Sequence, residues 1–244
     1  MKKCKKQANL KVSVVIPTIN SEKRIENTTR HIENYLKNLQ NSGKIEDYEI
    51  ILASQKSEDN TFEIIKKLEK NNKKIKALYL PIPGKGRGLN EGIRIAKFSI
   101  ILMIDDDLSY PIEFLEPALM ALDKDIIIGS RYLTKQQIPL KRKIAAFCYR
   151  KLVKLLFNLP VKDTQAGLKL IKKEVIRKTG LPKNCGWSWD IEFLWKAHRH
   201  GFKMHEIPIK YNFKENVLKI RKAAPKMFKD LVSLWLVKIG LKKL

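Results

Sequence analysis

A chain of 244 residues with 44% hydrophobic content can bury one large core, so a single globular domain with an appendage is expected. Fifty Lys and Arg against 25 Asp and Glu leave a formal charge of +25, which suits nucleic acid, anionic lipid or phosphorylated substrates, with a plainly solvated lysine surface as the alternative. The three cysteines, Cys4, Cys148 and Cys185, form no CxxC pair, which argues against a disulfide framework or structural zinc and fits a reducing cytosol. No run reaches the ~18 apolar residues of a membrane span, so a soluble or peripheral protein is expected.

The start, MKKCKKQANLKVSVVIP, is basic and then apolar, like a signal peptide. Its apolar part is short, has no small-residue cleavage site and ends in Pro17 and Thr18, so residues 12–16 read better as a first strand. Pro17 and Asn20 end that strand, and Ser21 is placed to cap a helix over 22–39 striped by Ile25, Ile32, Leu36 and Leu39. A strand over 49–53, a helix over 57–70 and a strand over 75–80 follow. A glycine-rich turn then leads to a helix over 87–97 and a fully apolar strand over 100–104. This alternation predicts an α/β fold with a mostly parallel sheet covered on both faces, and ligands in such sheets bind at the carboxyl ends of the strands. Pro17, the Ser54 loop, the Pro81 loop and Asp105 all fall at such ends.

Three carboxylates, Asp105, Asp106 and Asp107, follow the fourth strand without a break. Extended residues alternate, so Asp105 and Asp107 share one side and Asp106 takes the other. Two carboxylates on one side repel unless a cation lies between them, and Mg²⁺ or Mn²⁺ gripping phosphate oxygens is a common solution. The competing reading is a polar turn capping a helix near Pro111. In PIPGKGRG (81–88), the glycines let backbone amides approach a ligand while Lys85 and Arg87 add charge at a helix start, although the spacing is not that of a Walker A loop. Together, this turn and the aspartates suit a nucleoside diphosphate leaving group.

A strand over 125–128 runs into Gly129-Ser130-Arg131-Tyr132, with Arg131 placed for an anion or a structural ion pair. Residues 139–159 mix bases (Lys141, Arg142, Lys143, Arg150, Lys151, Lys154) with apolar residues as an amphipathic helix, which suits a membrane surface or an ordinary solvated face. Residues 163–169 form a polar turn entering a short apolar segment. A helix runs from about 190 to 200 with Asp190 and Glu192 in its first turn, where the helix dipole favours acids in any case. His198, His200 and His205 lack metal-ligand spacing and are expected at the surface. The tail from 212 is basic and amphipathic. From Pro225 a helix gathers Phe228, Leu231, Val232, Trp235, Leu236 and Ile239, a face suited to the membrane surface or to packing on the domain or a second subunit, as in a homo-oligomer.

These features in this order resemble the family 2 glycosyltransferases of GT-A fold, most of all the dolichol-phosphate mannosyltransferase and glucosyltransferase group. The matching pieces are VSVVIPTIN, SEDNT, GKGRGLNEGIRIA, MIDDDLSYPIE, IIGSRYL, DTQAGLKLIKKEVI and GWSWDIEFLWKAHRHGFKMHEIPIKY, over about 12–211. The resemblance implies a GT-A domain over 1–211 and an appended membrane-surface helix in 212–244. It implies a DxD metal pair in Asp105 and Asp107, with Mg²⁺ or Mn²⁺ on the donor diphosphate. Pro17, Asn20, Ser54, Gln55, Lys85, Asp105 and Asp106 form the implied donor site, Asp106 with a structural part. Arg131, Arg142 and Lys169 face the implied acceptor phosphate, and Asp107, Arg131 and Asp190 are the implied catalytic residues. Asp163, Gly167 and Lys169 match the D-x-x-x-G-x-[RK] element beside the acceptor.

The chain departs from the family pattern at Ile19, where a tyrosine is usual, and at Ser21, where an acid is usual. Ser54 and Gln55 stand where paired aspartates hold base and ribose, which leaves GDP and UDP donors both open, and Ser109 replaces a longer polar residue. The expectation is an inverting transfer of a hexose, mannose or glucose, from a GDP- or UDP-sugar to a polyprenyl (dolichyl) phosphate, by an enzyme peripheral on the cytoplasmic face of the membrane. An anionic acceptor needs no strong base, whereas a glycan or lipid hydroxyl would need one, with Asp190 the candidate. A nucleic-acid partner is not expected, since no such motif occurs and clustered aspartates repel phosphate. A catalytically silent paralogue is the remaining alternative, kept open by Ser54 and Gln55.

Overall fold

The computed structural model describes residues 9–135, 138–213 and 220–242. Strand β1 (Lys11–Thr18) is a continuous β-branched run, buried from its second residue to its last, as a strand covered on both faces must be. It pairs in parallel with β2 (Asp47–Gln55) on one side and β4 (Ile100–Met103) on the other, and β3 (Ile75–Leu80) pairs in parallel outside β2. Beyond β4 lie β6 (Lys169–Lys172), antiparallel to both neighbours, then β5 (Ile126–Ser130) and β7 (Met204–Pro208). The order is therefore β3-β2-β1-β4-β6-β5-β7, with β6 the only strand reversed among the described residues. After β3 the chain crosses back over β1 to enter β4. That switch point opens a crevice at the carboxyl ends of β1 and β4.

Helices α1 (Ile25–Asn41), α2 (Thr61–Asn71) and α3 (Lys85–Ile95) flank the sheet. The apolar stripe foreseen for the first helix is buried at Ile25, Ile32, Leu36 and Leu39. Its cap differs from expectation. The helix starts at Ile25 after a turn, Ser21 offers only its carbonyl to Arg24 and Ile25, and the Ser21 hydroxyl turns to Ile19 and Asp106. A buried carboxylate interrupts the second strand: Glu49 accepts the Ser13 hydroxyl (2.7 Å) and the Lys97 amide (2.6 Å), tying β1 and β2 to the chain entering β4.

After β4, a single 3₁₀ turn (Ile112–Phe114) leads into the short α4 (Leu115–Met120), and the long α5 (Leu140–Phe157) follows β5. Helices α6 (Lys173–Thr179) and α7 (Trp189–Arg199) flank the hairpin-like return to β7. Helix α8 (Ile220–Lys238) carries Pro225 inside its second turn. It docks on the domain: Leu231 and Leu234 join the common core, while Lys238 donates to the Leu156 carbonyl of α5 at 2.5 Å. Phe228, Ile239 and Leu241 stay exposed. His198, His200 and His205 are all at the surface, as expected.

One close approach fixes α3 against β1. A Cβ on Gly92 would collide with Cγ1 of Val15, a fully buried residue of the central strand. Gly92→Ala should therefore lower the unfolding free energy by about 1–3 kcal/mol, because the overpacked pair can part only by shifting α3. Urea denaturation of both proteins measures this, and an unchanged midpoint would show that α3 shifts without cost.

Candidate active site

The carboxyl ends of β1, β2, β3 and β4 meet at one edge, and the three aspartates leave β4 there. Asp105 faces Lys85 at the start of α3, with Nζ to Oδ1 2.6 Å. A Cβ on Gly167 would land on the Asp105 carboxylate, so the glycine makes this approach possible. Asp106 points the other way, as alternation requires. It accepts the Ser21 hydroxyl and the Arg24 guanidinium (3.2–3.3 Å), and its carbonyl accepts the Thr28 hydroxyl at 2.9 Å. Its main work is to fasten the start of α1. Asp107 is buried and accepts the Ser109 amide at 2.9 Å, closing a turn in which Leu108 takes a φ of 56°.

The glycine-rich turn is held from two sides. Gly84, at a φ of 151°, donates its amide to Gln55 Oε1 (2.6 Å), and Gly86 donates to the Cys185 carbonyl (3.2 Å). Gly88 packs against Pro17. Protein crowding works to lower the Lys85 pKa, but the Asp105 and Asp190 carboxylates outweigh it and hold the ammonium above the ordinary lysine value. Ser54 is fully buried. Asn20, at a φ of 48°, accepts the Glu58 amide and donates its own amide to Ser57, so it braces the loop after β2.

Arg131 follows β5 into a cage. Asp163 takes its Nε and Nη2 at 2.8 Å each and its backbone amide at 2.9 Å. The rings of Tyr110, Tyr132 and Tyr211 surround the guanidinium at 5.4–5.8 Å. Burial raises the Tyr110 pKa well above the usual phenol value, so all its neighbours meet a neutral ring. Glu206 of β7 accepts the Lys162 and Asp163 amides at 2.9 Å and thereby sets the Asp163 backbone. Lys169 is 1% exposed, and its ammonium is bound by Asp190 (2.6 Å) and the Ala166 carbonyl. Lys169, expected at the acceptor phosphate, lines the small cavity with its charge paired to Asp190.

Two cavities share the segment 163–167 as a wall. The smaller, about 10 Å³, lies among Pro17, Lys85, Asp105, Gly167, Lys169 and Asp190. The larger is a mainly apolar cleft of about 820 Å³ between the Arg131 turn, α5 and α8, and Arg142 and Arg150 stand in its wall. Sequence reasoning missed several supports. Glu192 is fully buried and accepts the Lys183 and Asn184 amides (2.9 and 2.8 Å), shaping the loop whose Cys185 carbonyl meets Gly86. Asp230 of α8 accepts the Trp187 amide at 3.0 Å. Glu192 reads from sequence as a helix-dipole acid, and neither Glu206 nor Asp230 has any local signal.

Among the described residues no group of three His, Cys, Asp or Glu side chains could hold a metal, so an all-protein cage is not what the site offers. Asp105, partly exposed at the small cavity, and Asp107 fit the other mode, in which Mg²⁺ or Mn²⁺ takes one or two carboxylates and completes its shell with substrate phosphate and water.

Residues 13–180 match the model of Glycosyl transferase family 2. A dolichyl-phosphate beta-glucosyltransferase of Trichomonas vaginalis is 31% identical over 216 residues, covering 84% of this chain and 67% of that protein. The mouse dolichyl-phosphate beta-glucosyltransferase is 29% identical over 82% of this chain and 67% of its own length. The glycosyltransferase AglD of Haloferax volcanii is 28% identical, and the chain spans only 33% of it. Among solved structures, glucosyl-3-phosphoglycerate synthase of Mycobacterium tuberculosis, in complex with Mn²⁺, UDP and product, superposes with a TM-score of 0.72 at 19% identity. That match covers 97% of this chain and 82% of that one, and it bears out the expected GT-A fold.

Asp106 generates a pH prediction. Burial raises its pKa above the ordinary carboxylate value, against the pull of Ser21 and Arg24. Its favourable contribution is therefore complete below the ordinary value and is lost as pH rises through the higher folded value. Asp106→Asn abolishes that titration, so the stability of the variant relative to wild type should grow as pH rises from about 4, the ordinary carboxylate value, through the raised folded value. Urea unfolding across that range checks it; a difference that shrinks would mean that the Arg24 pair outweighs burial.

Proposed function

The chain belongs to glycosyl transferase family 2, and we propose that it moves a hexose from a nucleotide-diphosphate sugar to a polyprenyl phosphate, of the dolichyl type, at a membrane surface. The observation that carries this reading is the large apolar cleft with arginines in its wall, joined through 163–167 to the Lys85–Asp105 pair. An isoprenoid chain matches the apolar lining and a phosphate matches Arg131, Arg142 and Arg150. The relatives named above as dolichyl-phosphate glucosyltransferases support the same acceptor and favour glucose.

In this reading the donor diphosphate lies over the start of α3. Lys85 faces it, Asp105 and Asp107 hold the divalent metal, and Pro17, Asn20, Ser54 and Gln55 shape the nucleotide side. The metal supplies a Lewis acid on the leaving diphosphate. Lys85 adds a fixed positive charge where negative charge grows as the bond from the anomeric carbon to the diphosphate breaks. The acceptor phosphate oxygen attacks that carbon from the opposite face and inverts it, while Arg131 lowers the repulsion between the two anions. No proton needs to be removed. Asp190, the candidate base for a hydroxyl acceptor, is engaged by the Lys169 ammonium at 2.6 Å.

The outer side of α5 supports the membrane. Leu140 and Leu155 are more than half exposed among lysines and away from the cleft, as are Phe228 in α8 and Leu241 just after it. No helix among the described residues is long and apolar enough to cross a bilayer. A peripheral seat on an anionic, cytoplasmic leaflet fits this face and the +25 charge.

Two experiments test these statements. With a panel of GDP- and UDP-hexoses, product should form on polyprenyl phosphate in a metal-dependent manner, and Lys85→Ala should cut kcat by about 10²–10³-fold. Product on sugar or lipid hydroxyls alone would overturn the acceptor. In flotation assays the protein should rise with anionic vesicles, and Leu140→Glu with Leu155→Glu should weaken that binding about tenfold or more. Equal flotation of the double variant would remove α5 from the membrane contact.

A further inference from the structure

Resting on the acceptor reading just given, we propose that Arg150 is a direct ligand of the acceptor phosphate, helped by the neighbouring Tyr149 hydroxyl. From sequence, Arg150 belongs with the lysines on the outward, cationic side of α5. The fold turns it inward. Arg142, Tyr149 and Arg150 are spaced at seven and eight residues, two helical turns, so they lie on the face of α5 that lines the cleft.

Charge pairing in the cleft separates Arg150 from Arg131. Among the described residues the cleft wall has one acid, Asp163, and its carboxylate is engaged by the Arg131 side chain and amide. Arg150 has no salt bridge among the described residues, and its Nε is buried with no hydrogen-bond partner. Its guanidinium stacks over the Tyr132 ring, 3.7 Å from the centroid. Stacking holds the plane of the guanidinium while its N–H groups point outward in that plane, the arrangement that accepts a phosphate edge-on. The Tyr149 hydroxyl is buried in the same wall beside Ser188 and Gln165, with no hydrogen bond of good geometry to either. A buried guanidinium N–H without an acceptor is costly in an empty cleft, and an anionic oxygen satisfies it, with the Tyr149 hydroxyl close by in sequence to add a second donor.

The test is binding and steady-state kinetics of the whole chain with three probes: a short-chain polyprenyl phosphate, the matching polyprenol, and inorganic phosphate. Arg150→Gln should weaken the lipid phosphate by about tenfold to a hundredfold, seen as a raised acceptor KM, with the donor KM and polyprenol affinity unchanged. Arg150→Lys should recover part of the loss, because charge returns without the planar fork, and it guards against a folding defect in the glutamine variant. Tyr149→Phe should show a smaller loss of the same kind. Equal lipid-phosphate affinity in wild type and Arg150→Gln overturns this inference and leaves the acceptor reading standing. A wild type that binds neither lipid overturns the acceptor reading itself. Inorganic phosphate bound as tightly as the lipid phosphate, with both weakened by Arg150→Gln, overturns the lipid assignment.

Discussion

Charge pairing at the carboxyl edge of the sheet governs what this site can do. Five carboxylates converge there, and besides Asp107 four of them are paired with a cation: Asp105 with Lys85, Asp106 with Arg24, Asp163 with Arg131, and Asp190 with Lys169. The last two pairs are the more deeply buried, and removing one partner of a buried pair commonly costs about 3–5 kcal/mol, because the survivor is left charged without compensation. The pairs therefore fix the positions of their elements. They also decide which cations can meet a ligand. Lys169 is deeply buried and neutralised, Arg131 is neutralised but still borders the cleft, and Arg150 brings positive charge with no carboxylate of its own.

Around these pairs stands a second set of acids that accept backbone amides, Glu192 while also paired with Lys196 at 2.6 Å. Glu206 sets 162–163, Glu192 sets 183–184, and Asp230 sets Trp187. Each holds a loop whose next contact is part of the site: Asp163 grips Arg131, and the Cys185 carbonyl receives Gly86 beside Lys85. Helix α8 takes part twice. Asp230 steadies the turn over the glycine loop, while Met227, one turn earlier, lines the apolar cleft. One helix thus supports both the donor turn and the acceptor cleft, and its seating on the domain bears on both.

The parallel half of the sheet is legible in the sequence because β1, β2, β3 and β4 are predominantly apolar stretches, broken only by single polar residues such as Ser13, Glu49 and Lys76. The run 75–80 reads as a strand and is β3 to the residue. The other half is not. Strand β6 has four residues, two of them lysines, and no alternation marks it; it exists because β4 and β5 offer it edges on both sides. The split of the aspartates also reads from the chain, since alternation sends Asp106 to Arg24 and Asp105 to Lys85. The fates of Lys169 and Arg150 do not. A lysine three residues from a carbonyl it binds, and 21 from its acid, leaves no periodic trace, and an arginine on a mixed basic helix looks solvated until the opposing Tyr132 is in place.

The departure at Ser54 and Gln55 takes its meaning from the same electrostatics. An acid at 55 would add a further carboxylate near Asp105 and the donor phosphates, with Lys85 already committed to Asp105. Glutamine keeps a carbonyl oxygen for the Gly84 amide at 2.6 Å without that charge. Gln55 then keeps its amide N–H groups and a second lone pair on Oε1 for other partners, where an acid would offer acceptors alone. Loss of the acid therefore leaves the glycine turn anchored to the end of β2. It changes the hydrogen bonding that the end of β2 can offer, not the support of Lys85.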